Sequence, residues 1–153
     1  MSQVVRSPVT GVVGALDDVP DPVFSGRIVG PGVAVIPDHA GGNDVSALAP
    51  ISGTVSKIHP HAYVITDDNG RSILVHLGLD TVGLGGNGFT LLVAEGEVVD
   101  AGQPAITWSP AQIEADGLNA IVPVIALEAQ ESVLTPVPSG RRVEAGDPLM
   151  TWA

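Results

Sequence analysis

Four histidines are the side chains in this 153-residue sequence best suited to supply a neutral nitrogen nucleophile near pH 7, and there is no cysteine to compete with them. Two of them bound one stretch, His61-Ala62-Tyr63-Val64-Ile65-Thr66-Asp67-Asp68-Asn69-Gly70-Arg71-Ser72-Ile73-Leu74-Val75-His76. It reads as two short apolar strands joined by Asp67-Asp68-Asn69-Gly70. If Thr66 pairs with Arg71 across a four-residue loop, His61 stands directly opposite His76, with Cβ atoms about 4.5–5.5 Å apart. A two-residue Asn69-Gly70 loop, pairing Asp68 with Arg71, makes the histidines diagonal neighbours on the same face. Only a one-residue slip would separate their faces.

Two neighbouring imidazoles can bind a metal, act as nucleophile and helper, or simply pack. A metal normally wants a third protein ligand, for which Asp80 or His59 is available in the sequence. After His76 the alternation stops and Leu77-Gly78-Leu79-Asp80-Thr81-Val82 enters a glycine-containing bend. A strand-end imidazole beside a bend is easier to reach than one in mid-strand. Asp80 either returns to the same mouth or bonds local N–H groups as a turn aspartate.

The elements that must hold these residues are short strands. Nineteen glycines and thirteen prolines suit tight turns. Strands are expected at 27–29, 33–37, 53–58, 62–66, 71–75, 90–94, 105–108, 120–127, 141–143 and 149–152. One helical turn is expected at 109–115, with Ser109 as N-cap and Pro110 as its first residue. Two internal echoes recur. Ser7-Pro8-Val9-Thr10-Gly11-Val12-Val13 matches Ala49-Pro50-Ile51-Ser52-Gly53-Thr54-Val55, and Gly96-Glu97-Val98-Val99-Asp100-Ala101-Gly102-Gln103-Pro104 matches Gly140-Arg141-Arg142-Val143-Glu144-Ala145-Gly146-Asp147-Pro148. The expected fold is all-β: an antiparallel sandwich or barrel with pseudo-symmetric halves and at most one or two short helical turns, as one domain over residues 1–153.

Seventeen acidic residues against six basic ones give a formal charge of −11, which argues against nucleic acid or an anionic membrane as partner and suits a basic protein. Without cysteine there is neither a disulfide nor thiolate catalysis. No apolar run is long enough to span a membrane, and the N-terminus lacks a signal core, so a cytoplasmic location is expected.

The residues around His76 add a resemblance. His76-Leu77-Gly78-Leu79-Asp80-Thr81-Val82, followed by Leu84-Gly85-Gly86-Asn87-Gly88-Phe89, resembles the glucose-type IIA domain of the bacterial phosphoenolpyruvate-dependent sugar phosphotransferase system. Asp18-Val19-Pro20-Asp21-Pro22-Val23-Phe24, Ile28-Val29-Gly30-Pro31-Gly32-Val33-Ala34-Val35 and the segment from Ala49 to Val55 are similar to further parts of that family, so nearly the whole chain is covered. The resemblance implies a phosphocarrier. It would accept a phosphoryl group from the small histidine-containing phosphocarrier protein and pass it to a IIB domain, or to a IIBC permease, for sugar uptake with phosphorylation. His76 is implied as the phosphorylated residue, through Nε2, and His61 as the second active-site histidine. Asp21 and Asp80 are implied to meet a basic donor surface. Phe24 and Val64 are candidates for an apolar rim, with ordinary core as the alternative. Backbone N–H groups of the Gly78 bend are candidate hydrogen-bond donors to the phosphoryl oxygens. No cofactor is required, zinc at His61 and His76 is an optional addition, and regulatory protein partners fit the family.

The chain departs from the family in one place. Many relatives carry threonine two positions before the second histidine, supporting its ring, whereas here that place holds His59, followed by the stiff Pro60. His59 substitutes for that support, widens the site toward a metal cluster, or faces solvent. His39 is expected at the surface. Two rivals remain at this point. One is a biotinyl or lipoyl carrier modified on Lys57, the only lysine. The other is a non-catalytic zinc-binding regulatory module.

Overall fold

The computed structural model describes residues 2–153. In chain order the strands are β1 (Gln3–Arg6), β2 (Gly11–Ala15), β3 (Gly32–Pro37), β4 (Val45–Leu48), β5 (Gly53–His59), β6 (Ala62–Thr66), β7 (Ser72–His76), β8 (Thr90–Leu91), β9 (Val98–Val99), β10 (Pro104–Trp108), β11 (Val122–Ala126), β12 (Leu134–Pro136), β13 (Arg142–Val143) and β14 (Pro148–Trp152). Two short helices, α1 (Pro22–Ser25) and α2 (Pro110–Ala115), interrupt them. An eight-stranded sheet runs β13-β2-β3-β11-β7-β6-β5-β9, and two three-stranded sheets run β1-β14-β12 and β4-β10-β8. Their strand pairs are antiparallel.

The sequence echoes are echoes of hydrogen bonding. Ser7 N–H donates to the Asp147 carbonyl at 2.7 Å, and Ala49 N–H donates to the Gln103 carbonyl at 2.8 Å. Val13 N–H bonds Arg141 O as Val55 N–H bonds Glu97 O, both at 2.8 Å. The pairing of β13 with β2 is thus repeated by β9 with β5, and the three-stranded sheets repeat each other around β14 and β10. In both copies of the first echo a glycine takes the place where one strand crosses close to another. A Cβ on Gly11 would lie 2.0 Å from Ile36 O, and one on Gly53 would lie 2.2 Å from Thr66 O. Neither oxygen can yield without breaking its strand. We expect Gly53→Ala to cost about 3 kcal/mol, lowering the melting midpoint by about 6–12 °C. Gly83→Ala, where an added Cβ meets nothing within 4 Å, should melt close to the wild type in the same thermal scan.

The inner face of the large sheet and the small sheets enclose the main core, which includes Val35, Val55, Tyr63, Ile65, Ile73, Val75, Val124, Trp108 and Leu149. Strand alternation then sends Leu74 and His76 of β7, and Ala62 and Val64 of β6, to the outer face. That face has its own roof. Leu16, Val19, Phe24, Ala34, Leu79, Ile121 and Ile125 form a second apolar cluster over it.

Several sequence expectations differ from the fold. Segment 27–29 is a bend, not a strand: Arg27 has φ 55° and Ile28 is 71 % exposed, so neither alternation nor pairing is available. Segment 90–94 shrinks to the two residues of β8. Strands β1, β2, β4, β9 and β12 and helix α1 add to those expected. The helix at Pro110 forms as read, with the Ser109 hydroxyl accepting from Gln112 N–H at 3.2 Å.

Candidate functional site

The β6–β7 hairpin uses neither expected register. Ala62, not His61, lies opposite His76, and Thr66 lies opposite Ser72. This is the slip that alternation alone says should part the histidines. Its cause is the Asp67 carboxylate, whose Oδ1 accepts from the N–H groups of Asn69 and Arg71, both at 2.9 Å. Asp67 N–H also bonds Arg71 O at 2.9 Å, so the loop is the three residues Asp68-Asn69-Gly70, with Gly70 at φ 83°.

The rings nevertheless meet, because His61 is not in a strand. Pro60 and His61 form the tight turn between β5 and β6, where His59 pairs with Ala62. Free of the pleat, the His61 ring reaches the outer face, 5.1 Å from the His76 ring centroid at an interplanar angle of 70°. His59, exposed at the end of β5, stacks on His61 at 5.8 Å and 18°. Phe24 packs against His76 with ring centroids 5.2 Å apart. Four rings therefore run in series: His59, His61, His76, Phe24.

His76 is oriented by backbone. Its Nδ1 lies 2.6 Å from the Gly78 carbonyl oxygen, which can only accept, so Nδ1 carries the proton and Nε2 presents a lone pair. The carbonyl is itself fixed. Gly78 N–H bonds Ile121 O at 3.1 Å, Leu79 N–H bonds Asn119 O at 2.8 Å, and the buried Thr81 hydroxyl donates to Leu77 O at 2.8 Å. Position 78 must be glycine, since φ is 82° and a Cβ would come 2.8 Å from Thr81 Cγ2 and 2.9 Å from Asn119 O. Those two N–H bonds also correct one expectation: the donors of Gly78 and Leu79 are spent on the 119–121 segment, not free for a phosphoryl group.

Burial pushes the His76 imidazole below its ordinary pKa, against the opposing pull of the Gly78 bond and of Asp21 and Asp80. Burial, then His76 and His59, lower His61 as well. Both rings therefore stay neutral somewhat below the usual histidine range. A folded-state pKa below the unfolded one means the unfolded chain binds more protons as pH falls. The stability these rings share is present above about pH 6.5 and is lost on acidification through the lowered values. We expect the melting midpoint to fall as pH drops below about 6.5, and His76→Gln to flatten that dependence.

The remaining candidates fall around this row. Asp21 is the N-cap of α1, its Oδ1 accepting from Val23 N–H at 3.0 Å, with Pro22 at the first helical position. Phe24 is only 5 % exposed and belongs to the outer-face cluster, so it is floor more than rim. Val64 is half-buried on the same outer face. Asp80 is exposed, at φ 60°. The sequence reading passed over the more exposed apolar residues Val23 (42 %) and Val82 (66 %), which flank Phe24 and Asp80 in the chain. His39 lies apart on the surface, its Nε2 3.9 Å from Glu114 Oε1.

Among the described residues, no group of three or more His, Asp or Glu is disposed to hold a metal, so the optional zinc is unsupported. Lys57 lies within β5 opposite Val64 rather than at a hairpin tip, which removes the biotinyl or lipoyl reading.

Residues 3–132 match the family described as phosphoenolpyruvate-dependent sugar phosphotransferase system, EIIA 1. The chain belongs to this family. As an EIIA it is a phosphotransferase component that carries phosphoryl groups in sugar transport. It is 40 % identical over 123 residues to the glucose-specific EIIA component of Oceanobacillus iheyensis, covering 79 % of this chain and 72 % of that protein. It is 36 % identical over 150 residues to the beta-glucoside-specific EIIBCA component of Bacillus subtilis, covering 97 % of this chain. The EIIA spans only 24 % of the length of that relative, which carries EIIB and EIIC parts as well. Its fold superposes on the glucose permease IIA from Mycoplasma capricolum with a TM-score of 0.88 at 33 % identity, covering 99 % of this chain and 96 % of the other. Among the described residues of this EIIA, no helix is long and apolar enough to cross a membrane.

Proposed function

We propose that the 153 residues work as one cytoplasmic phosphocarrier domain, with His76 Nε2 as the acceptor. The donor is the small histidine-containing phosphocarrier protein, and the recipient is a IIB domain that phosphorylates an incoming sugar. The observation that carries this reading is the bond from His76 Nδ1 to the Gly78 carbonyl, which leaves Nε2 unprotonated. In the first transfer the Nε2 lone pair forms an N–P bond as the donor's N–P bond breaks, and the electron pair of that bond returns to the donor imidazole. The onward step repeats this with His76 as leaving group.

Phosphoryl transfer asks little covalent work of side chains and much charge stabilisation. His61, 5.1 Å away by ring centroids, supplies an N–H to the phosphoryl oxygens. Further positive charge comes with the partner. The nearest acids, Asp21 and Asp80, suit a donor arginine that pairs with them during docking, and Val23, Val64, Val82 and the edge of Phe24 supply apolar contact. The same surface serves the IIB domain and any regulatory protein partner.

The test is incubation with labelled phosphoenolpyruvate, enzyme I and the phosphocarrier protein. One acid-labile phosphoryl group per chain, mapped to His76, is expected. Label at another residue, or none, would overturn the reading.

A further inference from the structure

We infer that His59 is a positioning residue of the relay, its ring acting as a stacking plate that holds His61 in the orientation needed to face a phosphoryl group on His76. The inference rests on the reading of His76 as acceptor and His61 as helper. It starts from a lack: no hydrogen bond among the described residues fixes either ring nitrogen of His61. His76 has its Gly78 carbonyl, but His61 stands on a two-residue turn with rotation about its side-chain bonds otherwise free.

Three contacts restrict it. The backbone is stiffened by Pro60, whose ring is received by Gly86 (φ 90°): a Cβ there would come 3.3 Å from Pro60 Cγ. One face of the ring meets His59, nearly parallel at 18° and 5.8 Å, and its flank meets His76 at 70°. These are the offset-stacked and edge-to-face arrangements that aromatic rings prefer. His59 is exposed, so its ring contributes no core packing that would otherwise explain its place. A stack leaves both His61 nitrogens unengaged, and hence free to donate toward phosphate, which a hydrogen-bonding neighbour would not.

The test compares His59→Ala and His59→Phe with the wild type. Each protein is first labelled to completion, and the label is mapped to His76. The rate of transfer from the labelled protein to a purified IIB domain is then measured. His59→Ala is expected to transfer about three- to tenfold more slowly, as loss of one ring pair implies, and His59→Phe to recover at least half of the wild-type rate. Proton NMR of His61 supplies the second readout. Its ring resonances should broaden or shift toward free-imidazole positions in His59→Ala and stay dispersed in His59→Phe. Burial is the main cause that lowers His61, and His59 adds to it, so both variants should also raise its pKa. Equal rates for His59→Ala and wild type would overturn the inference. So would a His59→Phe as slow as His59→Ala, since that would mean the imidazole nitrogens matter and not the stack. Absence of label on wild-type His76 would overturn the acceptor reading, and this inference with it.

Discussion

The His76→Ala variant is expected to take up no phosphoryl group from phosphoenolpyruvate, enzyme I and the phosphocarrier protein, where the wild type is expected to take up one per chain. The expectation follows from the supply of nucleophiles. His61 stands beside His76, but among the described residues no backbone carbonyl sets one tautomer of its ring, and His59 is exposed with its ring stacked on His61. With no cysteine in the chain, no thiolate can substitute. The fold should persist. Alanine forfeits one hydrogen bond and the ring contact with Phe24, a loss of about 2 kcal/mol, or about 4–8 °C in the melting midpoint. A folded variant without label isolates the chemistry. A folded variant with full label on His61 would remove His76 from its assigned role.

The His61→Ala variant separates helper from acceptor. Its His76 keeps the Gly78 bond and an unprotonated Nε2, so label should still accumulate on His76. Onward transfer should fall by about 100-fold or more, the usual cost of deleting one donor aimed at developing charge. The sign of this split has a physical basis. On the proposed docking, the donor brings basic groups to the first transfer, and the onward step relies more heavily on what the IIA surface offers. That surface has little to offer, with six basic residues against seventeen acids. Of these, Arg27 is tied to Asp17 at 2.7 Å and Glu131 at 2.8 Å, and Arg142 is paired with Asp38. A rapid-quench time course from labelled protein to the IIB domain measures the step directly. Equal onward rates for His61→Ala and wild type would sink the helper role.

How much of this could be read from residues varied with the range of the force involved. Strand β6 was legible to the residue, because alternation and β-branched side chains act locally. So was the helix at Pro110, through its serine cap. Helix α1 carried an equally plain signal in Asp21-Pro22, a cap followed by proline at the first helical position, and it went unused. Strands β1 and β12 had no local signature to find. They are three or four residues long, and both are defined by pairing with β14, at the far end of the chain for β1. The two-residue β9 likewise exists only because β5 lies beside it.

The hairpin shows the same division at the site. From the sequence it follows that two strands flank an acidic, glycine-ended turn, that histidines sit at its outer ends, and that Gly78 bends the chain away after the second. The meeting of the rings was also foreseen, though for the wrong reason. Register in a short hairpin turns on a carboxylate that bonds two N–H groups, and Asp67 chose a three-residue loop over the two- and four-residue alternatives. The rings meet because Pro60 takes His61 out of the pleat. Which nitrogen of His76 holds the proton was decided further away, by a carbonyl whose position depends on bonds to Asn119 and Ile121, some forty residues along the chain. Side-chain chemistry and pleat are properties of neighbours in sequence. The direction of a lone pair is a property of neighbours in space, and only the folded chain sets it.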